Sequence, residues 1–191
     1  MRALTYFVAT SLDGRIAAPD GLFDAFPMVG DHVDMLLREW RDTLPAAAAA
    51  ALGVEPDGSR FDTVLMGWET YAAGFAQGVD DPYPHLRQVV FSRRHRDASV
   101  PAGVTLTDED PRAVVRRLKA EPGGAGIWLC GGGVLAAQLA DDIDRLVLKV
   151  NPLIFGAGRP LFAGDYTPRS FRLDRSRTYD SGVVVNEYSR S

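Results

Sequence analysis

The chain has 191 residues, 46% of them apolar, with a formal charge of -4 and a pI near 5.4. That length and apolar content predict one domain with a substantial core, and the acidic balance argues against a nucleic-acid surface. No apolar run approaches the roughly 18 residues of a membrane span, Met1-Arg2 leads straight into a strand-like segment rather than a signal sequence, and the single cysteine, Cys130, excludes an internal disulfide; a soluble cytoplasmic protein with no membrane partner is expected.

Ala3 to Ala9, with Leu4, Tyr6, Phe7 and Val8, reads as a buried strand. It runs into Thr10-Ser11-Leu12-Asp13-Gly14-Arg15-Ile16-Ala17, where Asp13-Gly14 marks a turn or loop. Pro19-Asp20-Gly21 and Phe26-Pro27 punctuate an irregular apolar stretch expected to be a mobile wall of a site. Gly30-Asp31 opens a helix with Val33, Leu36, Leu37 and Trp40 on its inward face, Asp31 as N-cap or first-turn acid, and Asp34 paired to Arg38. The alanine tract Pro45 to Leu52 predicts a peripheral helix. Phe61 to Met66 is a strand ending in Gly67, and Trp68-Glu69-Thr70-Tyr71 begin a short helix. Arg87 to Phe91 is a strand that ends in Ser92-Arg93-Arg94. A brief strand from Val104 to Thr107 precedes a helix over Pro111 to Ala120, proline in its first turn and Val114, Val115 and Leu118 facing inward.

The stretch Gly126 to Ala140 changes period in its middle. Ile127 to Cys130 form a continuous apolar run, Gly131, Gly132 and Gly133 follow, and Val134, Leu135 and Leu139 then recur at helical spacing. The unit therefore reads strand, tight turn, helix. A turn without Cβ atoms lets a ligand approach peptide N–H groups, and a helix start adds unpaired donors and about half a positive charge. That describes an anion site, although the same glycines also serve a plain strand reversal, and the spacing matches neither the dinucleotide fingerprint nor a P-loop. Cys130 reads as a small buried hydrophobe.

Arg145 to Val150 is a further strand, Ile154 to Leu161 a glycine loop, and Phe171 to Ser176 with Gly182 to Tyr188 an antiparallel pair turning at Asp180-Ser181-Gly182. Strands alternating with helices through residue 140 and strands alone afterwards predict a mostly parallel α/β sheet covered on both faces, with an antiparallel C-terminal edge. Ligands of such sheets sit at the carboxyl ends of strands, so Gly67 to Thr70, Ser92 to Arg94 and Gly131 to Val134 are expected to face one ligand. Thr70 and the Ser92-Arg93 pair suit phosphate, Arg93-Arg94 being equally readable as a solvated turn. His32, His85 and His95 are too scattered to form a metal site.

The order TYFVATSLDGRIA, DTVLMGWETY, VVFSRR, IWLCGGGVLAAQL, DRLVLKVNPLIFGAGRPLF and GVVVNEY resembles the dihydrofolate reductase superfamily over nearly the whole chain. Within it, SLDG and PLIFGAGRPLF are similar to the branch related to the C-terminal reductase domain of bacterial riboflavin biosynthesis. The resemblance implies a single three-layer α/β/α domain and an NADPH-dependent reductase acting on a small heteroaromatic or imine-like substrate of pyrimidine or pterin type. It implies that Gly131, Gly132, Gly133 and Val134 line the pyrophosphate and nicotinamide, that Gly67 and Thr70 make a second phosphate contact, and that Ser92 and Arg93 meet the adenosine 2′-phosphate. Ala9 and Ile16 correspond to positions flanking the nicotinamide ring. Trp68, followed by Glu69, stands where the branch commonly has a basic residue; its ring can stack on adenine but cannot neutralise phosphate, so preference for NADPH over NADH rests on Arg93 and Arg94.

Hydride transfer asks for proximity, exclusion of water and a proton source. Asp13, from the SLDG match, is the first candidate for substrate contact and acid, its other reading being a turn residue. Asp31 and Asp34 lie where folate reductases carry their substrate carboxylate, or else act as helix caps. Arg159, in the glycine loop that resembles a substrate-closing loop, can meet an anionic group, whereas Gly156 and Gly158 also suit a tightly packed connection. The contrasting reading is a nucleotide-binding module that keeps the cleft without turnover. A homodimer through the C-terminal strands is a further expectation.

Overall fold

The structure, a computed structural model, describes residues 1–191. In chain order its strands are β1 (Leu4–Thr10), β2 (Arg15–Ala17), β3 (Phe61–Gly67), β4 (Arg87–Phe91), β5 (Val104–Thr107), β6 (Gly126–Gly131), β7 (Arg145–Val150), β8 (Arg159–Pro160), β9 (Phe171–Thr178) and β10 (Val184–Arg190). The helices are α1 (His32–Glu39), α2 (Ala46–Ala51), α3 (Trp68–Tyr71), α4 (Pro111–Ala120) and α5 (Gly133–Gln138). None is long and apolar enough to cross a membrane.

Eight strands form one sheet in the order β5-β4-β3-β6-β1-β7-β10-β9. All neighbours from β5 to β7 pair in parallel, whereas β10 runs antiparallel to both β7 and β9. The antiparallel strand thus lies one place in from the edge, which β9 forms. Successive residues alternate between two buried faces, so the central strands read as unbroken apolar runs. Leu4, Tyr6, Leu65, Ile127, Leu129 and Leu146 pack beneath α4 and α5, against Val115, Leu118, Leu135 and Leu139. Phe7, Val64, Met66, Trp128 and Val147 face the other way, toward Met35 and Leu36 of α1 and Trp40. Parallel pairing has one further consequence: Thr10, Gly67, Phe91, Gly131 and Val150, the last residues of β1, β3, β4, β6 and β7, share one rim.

Three local features depart from the sequence expectations. Helix α1 buries His32, Met35 and Leu36, a face turned by one residue from the expected one. The turn follows from His32, whose ring is held inside by Ser181 Oγ (3.0 Å) and Pro27 O (3.2 Å). The expected loops around residues 15 and 160 pair as an antiparallel β2–β8 ladder, Arg15 opposite Pro160 and Ala17 opposite Arg159. Asp31 occupies the N-cap position of α1 without capping it; its carboxylate accepts the N–H groups of Asp180 (2.7 Å) and Ser181 (3.1 Å) and so fastens the β9–β10 turn to the helix start.

The amino end of the sheet hangs on an aspartate with no motif to announce it. Asp42, 1% exposed, accepts the N–H groups of Asp57 (3.2 Å), Gly58 (2.9 Å), Arg60 (2.9 Å) and Phe61 (3.1 Å). The single carboxylate folds the loop before β3 and sets where that strand begins. Asp42→Ala leaves four donors without an acceptor, of which only the Phe61 N–H is buried; with an unmet buried donor costing about 1 to 3 kcal/mol, a loss of about 1 to 3 kcal/mol is expected from the denaturant midpoint at constant slope. Asp42→Asn, which keeps one acceptor oxygen, loses less. A loss under about 1 kcal/mol for the alanine variant contradicts this role.

Candidate active site at the carboxyl rim of the sheet

Two glycine-bearing strand ends meet on the rim. β6 finishes at Gly131, whose φ of +138° suits glycine, and passes through a cis Gly131–Gly132 peptide into α5. β3 finishes at Gly67, which starts α3. Neither helix start carries a side-chain cap. A Cβ at Gly67 would lie 3.9 Å from Gly132 N and 4.0 Å from Gly131 O. At Gly131 or Gly132 a Cβ would meet only Thr70 Oγ1, at 4.0 and 3.6 Å. Thr70 therefore overlooks a patch of bare backbone with open space above it, and the neighbouring Val134 side chain projects to solvent.

The third strand end is arranged differently from the sequence reading. Ser92 Oγ accepts the His95 N–H and lies 3.0 Å from His95 Nδ1, which makes it a turn residue first. His95 in turn stacks on Trp68 at 4.1 Å and 6°, and Tyr71 and Phe75 meet the indole edge-on. One face of Trp68 is thus covered by the protein's own imidazole and is not open to adenine. Arg93 and Arg94 are exposed and without a carboxylate partner, although Arg96 beside them pairs with Asp108 at 3.6 Å.

On the other side of β6, the segment from Asn151 to Ala163 is woven into the rim by backbone contacts. Leu12 N–H donates to Leu153 O (2.7 Å), Leu161 N–H to Gly14 O (2.9 Å) and Ala163 N–H to Gly133 O (3.0 Å). A Cβ at Gly133 would collide with Pro160 O, and one at Gly158 with Ala17 O. Asp13 ties the knot, accepting Ser11 Oγ–H (2.6 Å) and the N–H groups of Phe155 (3.1 Å) and Gly156 (2.9 Å). Those donors, Ser11 first, hold its carboxyl down at about 2. Asp13 is therefore a fixed anion that joins two loops, and it holds no proton to donate near neutral pH.

The remaining candidates separate. Loss of solvation pushes the Asp31 carboxyl up, but the Asp180 and Ser181 N–H groups outweigh it and leave it below its ordinary range. The Asp34 side chain is 73% exposed and faces only Arg38, at 3.9 Å. Ala9 is the penultimate residue of β1 and Ile16 the centre of β2, both half-buried; Arg159 is exposed at the start of β8 with no ion-pair partner. The rim brings together Ala9, Ile16, Gly67, Thr70, Gly131 to Val134 and the loop of Asp13 and Arg159, and leaves Asp34 on the outer surface.

Two rim residues escaped the sequence reading. Lys149 is 5% exposed and Asn151 0%, both at the end of β7. Asn151 Nδ2 donates to Thr10 O (3.3 Å) and Lys149 O (3.0 Å), while its Oδ1 has no partner. The available signal was a lysine inside the apolar run RLVLKV. Two clefts, of about 410 and about 370 Å³, open instead near the amino ends of the strands, around Arg38, Asp42 and Arg60 and around Arg2, Gly124 and Arg145. They contain none of the converging groups, and the larger has no apolar lining.

Fold and rim define a mostly parallel α/β protein with bare glycine backbone at the carboxyl ends of its central strands. The chain matches the RibD C-terminal domain over residues 2–185 and belongs to that family. It is 29% identical to the uncharacterized protein YwjB of Bacillus subtilis (strain 168) over 97% of both chains, and 30% identical to YyaP of the same organism over 68% of this chain and 74% of that one. Among solved structures it is similar to a putative riboflavin biosynthesis protein from Shewanella, with 26% identity, TM-score 0.72 and 99% of each chain covered. It also shares its fold with the Thermotoga maritima diaminohydroxyphosphoribosylaminopyrimidine deaminase/5-amino-6-(5-phosphoribosylamino)uracil reductase, at 16% identity and TM-score 0.69, over 100% of this chain and 57% of that one.

The Asp13 knot has a pH signature. Its folded pKa of about 2 lies below the ordinary carboxylate value of about 3.9, so the stabilisation is fully present above about pH 4 and fades as pH falls toward about 2. Asp13→Asn, offering one acceptor oxygen where two are used, lowers Tm at neutral pH, and the wild-type and variant Tm curves converge over that acid interval. Curves that stay parallel down to about pH 2 contradict the assignment.

Proposed function

We propose that the chain is an NAD(P)H-dependent reductase acting on a small heteroaromatic or imine-like molecule of pyrimidine or pterin type. The observation that carries the reading is the meeting of two uncapped helix starts over bare glycine backbone, with Thr70 beside it. Such a patch suits a pyrophosphate, because close approach to the peptide N–H groups needs the Cβ positions empty. The residues fit the group: Gly67, Thr70 and Gly131 to Val134 would hold the phosphates, and Ala9 and Ile16 would flank the ring. Arg93 and Arg94, free of carboxylates, would meet a 2′-phosphate.

A bound reduced nicotinamide would supply the hydride. The chain's own share is to orient and dehydrate the reacting pair. The loop from Leu12 to Ala17 and the segment from Leu153 to Ala163, sewn together by Asp13, wall off the end of β1 where Ala9 lies. Family membership supports reduction as the chemistry, and the Thermotoga relative is named as a reductase. A second reading, a nucleotide-binding module without turnover, draws support from the ionised and committed state of Asp13.

Titration with NADPH and NADH, followed by NADPH oxidation with pterins, aminopyrimidinones and cyclic imines, separates these. Wild-type protein is expected to bind NADPH, and Arg93→Ala/Arg94→Ala to weaken NADPH about tenfold, or about 1.4 kcal/mol, while leaving NADH unchanged. Absence of binding to either dinucleotide sinks both readings; binding without oxidation across the panel leaves only the second.

A further inference from the structure

Between β2 and α1 the chain runs over the surface from Ala18 to Gly30 with little to hold it. The main-chain hydrogen bonds of this crossing close on itself: Ala18 N–H to Leu22 O (2.7 Å), Gly21 N–H to Ala18 O (3.0 Å) and Phe26 N–H to Phe23 O (3.2 Å). Leu22, Phe23, Met28 and Val29 are each more than half exposed. Two side-chain contacts fasten it. Phe26 stacks at 5.1 Å on Phe155, whose own N–H is held by Asp13, and the His32 ring meets Pro27 O. That last bond, of 3.2 Å, is the one hydrogen bond that leads out of residues 18–29.

His32 is fully buried, with both ring nitrogens in contact. Pro27 O can only accept, so Nε2 carries the hydrogen, and Nδ1 takes the hydroxyl hydrogen of Ser181, 3.0 Å away. A neutral ring thus bridges the crossing and the β9–β10 turn. The groups that face it are Asp31 beside it, Lys149 of β7, and Tyr179 of β9, whose ring meets the imidazole edge-on at 6.4 Å. Burial, with the Lys149 ammonium adding to it, holds the imidazole below its ordinary value of about 6.5, against the opposing pull of Pro27 O and Asp31.

A second proton makes this ring a cation without water. It regains hydration only if what covers it parts, and its two sides are unequally held. Asp31 accepts the N–H groups of Asp180 and Ser181, and the turn closes on itself through Gly182 N–H to Tyr179 O (2.9 Å) and Tyr179 N–H to Val183 O (3.0 Å). Asp31, below the usual carboxylate range, stays ionised across the interval in which an imidazole titrates. The crossing, with one hydrogen bond and one stacked ring, gives way first.

We propose that His32 is an acid-operated latch: neutral, it pins the crossing to α1, and protonated, it releases residues 18–29 and opens the wall of the rim beside Phe155. The latch rests on these contacts and not on the reductase reading. Because the folded ring has the lower pKa, the stabilisation from its neutral form is complete above about pH 6.5 and is lost as pH falls through the folded value. Asp13 titrates well below that interval, so the two effects separate.

The chain has three histidines, so the ring states are readily followed. Long-range 1H–15N spectra report the tautomer and charge of each imidazole, assigned with His85→Gln and His95→Gln, while 15N relaxation reports the order of amides 19–29 in the same samples, from about pH 8 to about pH 4.5. Expected is an Nε2–H ring at His32 near neutrality, and a fall in the order parameters of those amides from about 0.85 toward about 0.6 on the same curve as its protonation, with amides of β1 and β6 unchanged. Lys149→Met removes the opposing ammonium and moves both midpoints up together. His32→Gln, whose carboxamide offers an N–H to Pro27 O and an oxygen to Ser181 but takes no proton, keeps the amides ordered throughout. Amides whose order ignores His32 protonation, an equal pH response in His32→Gln, or a ring still neutral at the acid end of the range overturns the latch. Should His32→Gln fail to fold, the coincidence of the two wild-type curves and their joint displacement in Lys149→Met decide the matter.

Discussion

The structure depends on backbone packed directly against backbone at the carboxyl rim. Pro160 O sits where a Cβ of residue 133 would be, and Ala17 O where a Cβ of residue 158 would be. Those two contacts, with the Asp13 carboxylate between them, bind three segments that are distant in sequence: the loop after β1, the turn after β6 and the loop after β7. Each segment is irregular, and an irregular segment cannot satisfy its own peptide groups. Here the partners come from the other segments, so the rim orders as one body. The ends of β1 and β6 thereby acquire a wall on one side and open backbone on the other.

Charge is distributed to match that division. Several arginine–carboxylate pairs lie on outer surfaces, such as Arg112 with Asp141 and Asp142 and Arg117 with Glu109, where water screens them and each contributes little. On the rim Asp13 and Asp31 are taken up by peptide N–H groups instead. Cys130, at the end of the same face, is no competitor, since burial raises its thiol to about 12. Asp13 and Asp31 are both held below the usual carboxylate range and keep no proton near neutral pH.

Much of this was legible from residues alone, for a physical reason. Strands buried on both faces are long apolar runs, and the glycine-ended strands β3 and β6 advertise the rim because a missing Cβ is a property of the residue itself. What sequence did not disclose depends on distant partners. The phase of α1 is set by His32 reaching Ser181, 149 positions away, and no helical period encodes that. Ladder β2–β8 has strands of three and two residues, too short to show alternation. Trp68 looked free because its covering ring, His95, arrives through a turn made by Ser92. Asp42 carried no reading from sequence and Asp31 read as a helix cap or candidate acid, yet each organises a remote loop. The family resemblance supplied the fold beyond what pattern reading gave, but not these side-chain commitments.

The two halves of the rim differ in what sequence divergence can do to them. A phosphate held by N–H groups over glycines tolerates change at nearly every other position, since the donors are main chain. The Shewanella protein, at 26% identity, accordingly shares the architecture. Side chains at the rim have no such protection, because each one's contacts change with its identity.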